Sequence, residues 1–411
     1  MGGSPVIRAF SLILALGIAP AAAQDFTIRS EIGAAFAWAN ATSLDTALGF
    51  DTRQTWQGQA RLMWRANAGA LQLEFAAIIG VAKGDDVLYR TAITPFLPPQ
   101  PPASLFDLTY ANITGDTAFG ASIDRAVVSW ASENLVLKAG RQAITWGEGL
   151  VFHPGDIVAP FAPNATDTSY KPGVDMLYGQ YLFASGADIQ AIWVPRPTAP
   201  GGAIDPDAST FALRAAFQTG VLDVALMAAR DRADLVASLG LAGPLGEASW
   251  KAEYVGWRLA SGAWRPSWLL NLSNFATIGG VNVSYFGEYF HNGFGVAPGT
   301  ALDALPADLR KRLGTGQVFL PGTDYLALGA SLQLSPDLSM TPSALVSLND
   351  SSALLSLALD YSLGDNTNIT FNYSQPTGAT GTSFGGLETS TGSGIFATPA
   401  RSAELKLVHF F

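Results

Sequence analysis

The chain has 411 residues, no cysteine and a net charge of −10. The missing cysteines rule out disulfide staples, thiolate metal sites and cysteine nucleophiles, and the acidity argues against nucleic acid as a partner. It is 48% hydrophobic, only 14% charged and has mean hydropathy +0.23, yet after the first residues no run reaches 18 consecutive apolar positions, so a helical membrane span is excluded.

In chain order, the stretch Met1 to Arg8, the apolar run Ala9 to Ala19 and the small residues Ala21 to Ala23 have the order of a secretory signal peptide cleaved after Ala23. The run is shorter than the roughly 20 residues a bilayer span needs. Residues 24–411 then alternate apolar and polar positions between turn residues, the period-2 pattern of strands. Strands are expected near 26–40, 51–66, 70–82, 122–131, 134–142, 174–183, 187–194, 208–219, 221–230, 233–242, 247–258, 265–274, 278–290, 323–334, 338–348, 352–363, 367–374 and 401–411. That is about 18 strands, with 16 to 20 possible if a hairpin is merged or missed.

The connections sort by length. Short ones at 67–69, 132–133, 184–186, 220, 243–246, 275–277, 335–337 and 364–366 alternate with long ones at 83–121, 143–173, 195–207, 291–322 and 375–400. Short periplasmic turns and long outer loops are the arrangement of a closed, all-β transmembrane antiparallel barrel. Trp38, Trp56, Trp64, Trp130, Trp193, Trp250, Trp268, Tyr285 and Tyr289 fall near strand ends, where interfacial girdles place aromatic rings. Segment 95–102 is a stiff proline-rich piece of an outer loop, 301–313 has the spacing of a short helix limited by Pro306, and 375–400 reads as a flexible Gly/Ser/Thr loop.

In the last strand Ala403, Leu405, Leu407 and Phe411 share one face and Glu404 and Lys406 the other. A chain whose final strand ends on an aromatic resembles an outer-membrane β-barrel, and the resemblance implies that Phe411 belongs to the signal read by the barrel-assembly machinery. A second resemblance lies in Gly140-Arg141-Gln142, Trp146-Gly147-Glu148, Pro154 to Asp156 and Lys171 to Asp175. This pattern is similar to a poorly characterised, porin-like group of Gram-negative outer-membrane barrels, in which His153 often has Asn as its counterpart. It implies the cell outer membrane as location, with outer-membrane lipid and lipopolysaccharide as surroundings.

Alternation places Arg29, Glu31, Arg53, Arg61, Arg65, Glu74, Arg125, Lys138, Arg214, Lys251, Glu253, Arg265 and Glu288 on the lumen face, with Gln57, Gln59 and Asn282 among the uncharged groups. Bases outnumber acids there, and a basic wall would favour anions, unless the charges pair and narrow the interior. The 143–173 loop is expected to fold into the mouth and form the constriction, with Arg141, Gln142, Trp146, Glu148, Asp156, Asp167, Lys171 and Asp175 as its polar and aromatic contacts. No catalytic group, cofactor or metal is expected. His291 has no serine nucleophile motif beside it, and Glu148, Asp156 and Asp167 lack the spacing of a calcium loop. The reading is a passive channel for small solutes. A barrel moving or binding an apolar or lipid-like molecule, or a structural surface barrel, is the alternative, and oligomeric state is open.

Overall fold

The computed structural model describes residues 23–97, 102–165 and 167–411. Nearly all of the expected signal peptide, and part of the proline-rich segment, lie outside these residues. The strands are β1 (Ala23–Trp38), β2 (Thr52–Ala68), β3 (Leu71–Gly84), β4 (Thr109–Thr114), β5 (Thr117–Ala131), β6 (Leu135–Gln142), β7 (Val174–Leu182), β8 (Asp188–Val194), β9 (Thr210–Thr219) and β10 (Leu222–Asp231). They continue as β11 (Asp234–Leu245), β12 (Ala248–Arg258), β13 (Trp264–Ile278), β14 (Val281–His291), β15 (Asp324–Ser335), β16 (Leu338–Ser347), β17 (Ala353–Gly364), β18 (Thr367–Thr377), β19 (Leu387–Glu388), β20 (Phe396–Ala397) and β21 (Arg401–Phe410).

Eighteen of these strands form one antiparallel ring, which β21 closes by pairing with both β18 and β1. Closure leaves no open edge in the ring, the condition for spanning hydrocarbon with strands. The pairing of Ala23 with Asn67 and of Phe410 with Arg29 puts the start of β1, the end of β21 and the short turns at one end. Outward positions are apolar and exposed, as at Phe26, Ile32, Leu177, Leu270, Leu272 and Leu405. Inward neighbours such as Arg29, Glu31, Leu269 and Asn271 are buried. Outward aromatics gather toward both ends: Trp64, Trp130 and Trp250 near the short turns, Trp38, Trp193, Trp268 and Tyr289 near the long loops, with the Trp268 and Tyr289 rings 4.8 Å apart.

The expected loop 83–121 is more structured than its composition suggests. It holds a helix (Asp85–Ile93), a 3-10 turn (Thr94–Phe96) and β4, which runs beside the upper part of β5. A tight turn at Gly115, φ 59°, joins them, so β5 starts at Thr117 rather than near 122. The expected helix at 301–313 divides at Pro306 into a 3-10 turn (Leu302–Ala304) and a helix (Ala307–Thr315), because proline caps the second segment and cannot sit inside it. Leu309 and Arg312 of that helix are buried. The 375–400 loop contains the β19–β20 ladder and buries Phe384 against Tyr325 in a cluster shared with the wall and Phe152, so it is anchored rather than free.

Candidate functional site: the loop crossing the lumen

The 143–173 loop leaves the wall at Gln142, crosses the interior and returns at Val174. Its outgoing limb is tied to the far wall. Glu288, with no exposed surface, accepts the N–H groups of Leu150 (2.7 Å), Val151 (3.0 Å) and Phe152 (2.7 Å) and the Asn271 amide (3.1 Å). A carboxylate that collects three consecutive amide donors fixes a turn that composition alone would leave free. Glu253 accepts from the Gly155 amide at 3.3 Å, and a Cβ at Gly155 would lie 2.1 Å from the Glu253 carboxylate. Trp146 donates its indole N–H to Gln190 at 2.7 Å, and Glu148 lies 3.7 Å from Arg214.

The return limb is tied to the opposite wall. Asp167 pairs with Arg29 at 2.8 Å, and the Tyr170 ring lies under Arg61 (4.2 Å) and Arg29 (5.5 Å). Arg125 donates to the Lys171 carbonyl at 2.6 Å. Lys171 pairs with Asp156 across the loop. Asp124 joins Arg61 and Arg125 and accepts the Gly173 amide at 3.0 Å. Asp124 reaches these groups because the β3–β5 register skips it between Ile123 and Arg125. The bulge lets the consecutive residues Asp124 and Arg125 both face inward, which strict alternation forbids.

Titration of the loop groups follows from this packing. Burial pushes the Asp167 carboxyl up, but the Ser169 amide and the Arg29 guanidinium outweigh it and hold the pKa at about 2. The Lys171 ammonium is depressed by burial against the opposing pull of Asp156. The His153 imidazole is depressed by burial, and its Nδ1 has no hydrogen-bond partner among the described residues.

Every expected lumen residue has its register position on the inward face. They do not share one open surface. Arg29, Glu31, Arg61, Glu253 and Glu288 are buried under the loop. Arg53 sits at the outer mouth, paired with Asp45 and Asp86 and 4.1 Å from the Tyr89 ring. Arg265 is held by Asp308 of the inward-folded helix at 2.9 Å. Arg65, Glu74 and Arg125 line a 260 Å³ cavity below Tyr170 with Asp25. Among the described residues Arg65, Lys138 and Lys251 have no ion-pair partner; Lys138 lies 5.6 Å from the Tyr178 ring.

Within the loop, Gln142, Trp146, Glu148, Asp156, Asp167 and Lys171 are inside the barrel. Arg141 and Asp175 are not. They pair with each other on the outward face, in register with the exposed Leu137 and Leu177 rows. There the Asp175 carboxylate accepts both Arg141 Nε and the Phe106 amide at 2.9 Å. A strap of the preceding loop covers this pair, which explains how two charges are buried on the outside. Both lie one residue from the inward positions Gln142 and Val174, and a single step reverses the face. Phe411 is exposed and exchanges backbone hydrogen bonds with Ile28.

The loop divides the lumen. Toward β7–β12 the space is filled by a hydrophobic cluster including Trp146, Ile157, Met176, Val255, Trp257 and Leu309. Arg312 stacks there on Phe294 (4.2 Å) and Trp257 (4.6 Å) while its charge meets Asp234 at 2.6 Å. Toward β15–β18, β21 and β1–β3 the interior keeps cavities of about 620 Å³ and 440 Å³.

This architecture has solved counterparts. A BenF-like porin from Pseudomonas fluorescens Pf-5 superposes with TM-score 0.55 at 10% identity, over 96% of this chain and 100% of that one. Pseudomonas aeruginosa OccK5 (OpdH) gives 0.55 at 10%, over 94% and 97%. Acinetobacter baumannii OccAB2 gives 0.54 at 9%, over 94% and 98%. The chain shares their fold. No protein-family model and no curated protein matches the sequence.

Proposed function

We propose that the protein is a passive channel of the Gram-negative outer membrane, admitting small solutes down their gradient and carrying out no chemical step. The observation that carries this reading is the 143–173 loop. It lies inside an 18-strand ring, bonded to both walls, and narrows the lumen without filling its β15–β18, β21 and β1–β3 side. A ring of this size normally encloses an aqueous channel. The solved structures of similar shape include a BenF-like porin. The apolar outer band fits lipid and lipopolysaccharide, and the terminal β21 with Phe411 fits the substrate of a barrel-assembly machinery.

Charge selectivity is the finer part. Strand-borne Arg29, Arg61, Arg125, Arg214 and Arg265 all meet carboxylates, several of them brought in by loops. Of the expected lumen bases, Arg65, Lys138 and Lys251 are the ones left without a carboxylate among the described residues, while Asp25, Glu74 and Asp223 face the same periplasmic half. We therefore read the pore as weakly charge-selective. Refolded residues 24–411 in a planar bilayer with a salt gradient should give steady current steps reversing close to zero. A folded, heat-resistant barrel that passes no current would overturn the channel reading.

A further inference from the structure

We propose that four serines in one row form a recognition track for small, uncharged, hydroxyl-rich solutes. Ser343, Ser356, Ser374 and Ser402 stand directly opposite one another across β16, β17, β18 and β21. All four line the 440 Å³ cavity, and the loop's Pro163, Asn164 and Ala165 form its other side. At about 4.8 Å between strands the row spans about 14 Å of wall. The inference rests on the channel reading and names the class of solute that the channel takes.

The chemistry of the row is unusual for this lumen. Much of the inward face elsewhere carries ion pairs; the serine row and the loop residues Pro163, Asn164 and Ala165 facing it are uncharged, and Glu404 is the charged side chain among the residues lining this cavity. That carboxylate is occupied by Gln57 at 2.7 Å and Lys406 at 3.3 Å. Ser356 and Ser374 lie 3.3 Å apart, while the Ser343 and Ser402 hydroxyls make no side-chain hydrogen bond among the described residues. A hydroxyl both donates and accepts, so the row can replace the water shell of a polyol one hydrogen bond at a time. It offers a small ion no countercharge for the hydration it sheds. Just above, Leu345 and Leu354 pack with Phe152 and Phe384, giving the carbon face of such a solute an apolar neighbour.

The test is swelling of proteoliposomes carrying residues 24–411, with a pentitol or hexose compared against a size-matched monocarboxylate salt, alongside single-channel conductance in potassium chloride. The uncharged solutes should enter several-fold faster. The double variant Ser356→Ala/Ser374→Ala widens the path yet removes two hydroxyls. It should slow polyol entry about fivefold or more, while ion conductance stays the same or rises. Ser356→Lys should move the reversal potential toward anion selectivity. Equal polyol entry by the alanine variant and the wild type, or a lysine variant with unaltered reversal potential, would overturn the track while leaving the channel intact. A wild-type protein without any current would instead overturn the channel reading on which the track rests.

Discussion

Replacing Glu288 with glutamine tests whether the crossing loop is held by one buried carboxylate. In the wild type its two oxygens serve three backbone donors, at 2.7, 3.0 and 2.7 Å, plus Asn271. A glutamine keeps one oxygen. The Val151 and Phe152 amides, which share Oε1, exchange a charge-assisted bond for a neutral one, losing about 1 kcal/mol each. The Leu150 amide then faces an NH2 group and loses its acceptor, at about 1–3 kcal/mol for a buried donor. The sum is about 3–5 kcal/mol as an upper range, since lumen water can reach the opened turn. At about 1.4 kcal/mol per tenfold, amide hydrogen exchange at 150–152 should accelerate by roughly a hundredfold or more in the variant. Open-channel noise should rise as the loop detaches. Unchanged exchange at these three amides, in a variant that is otherwise folded, would refute the claim that Glu288 pins the loop.

The remaining predictions address the other anchors. Arg141→Ala should cost about 3–5 kcal/mol locally by leaving the buried Asp175 unpaired, and should open the 102–108 strap to added protease. Conductance should not change, because the pair lies outside the lumen; a conductance change would contradict that placement. Gly155→Ala should displace the loop, since its Cβ would fall 2.1 Å from Glu253, and should alter single-channel conductance. Asp167 has a folded pKa of about 2, below its ordinary 3.8. Its contribution is therefore full above the ordinary value and is lost only as pH falls through about 2. Current should be insensitive to this anchor between pH 7 and pH 5, whereas Asp167→Asn should raise open-channel noise across that whole range.

How much of this was legible in the sequence depends on which forces set each feature. The strands and the side each residue faces follow from period-2 alternation, because lipid on one side and water on the other leave no alternative register. Expected and observed ends differ by a few residues at most strands. The errors fall where a local rule yields to a tertiary one. Asp124 escapes an alternation anchored on the inward Arg125 because a bulge between Ile123 and Arg125 breaks the period. Flanking the loop suggests a lumen role for Arg141 and Asp175, but parity puts them outside, and the strap that makes their burial tolerable is distant in sequence. The four-serine row could not be seen from one strand at a time. Each serine is an ordinary inward position, and only the register of β16–β18 and β21 lines them up.

The charge distribution accounts for the course of the loop. The chain is acidic overall, yet its inward strand positions are rich in arginine, and a ring of unpaired guanidiniums in a narrow, partly dehydrated lumen would repel itself. Acids on the loops resolve that conflict only by coming inside: Asp167 to Arg29, Glu148 to Arg214, Asp308 to Arg265. The same contacts that draw the segments inward consume the positive field that would have selected anions. In the proposed channel, selectivity and fold would therefore draw on one set of charges, most of which are held in these ion pairs. If the channel selects solutes, the proposed serine row across β16–β18 and β21 is the part of the wall whose side chains needed no ionic partner.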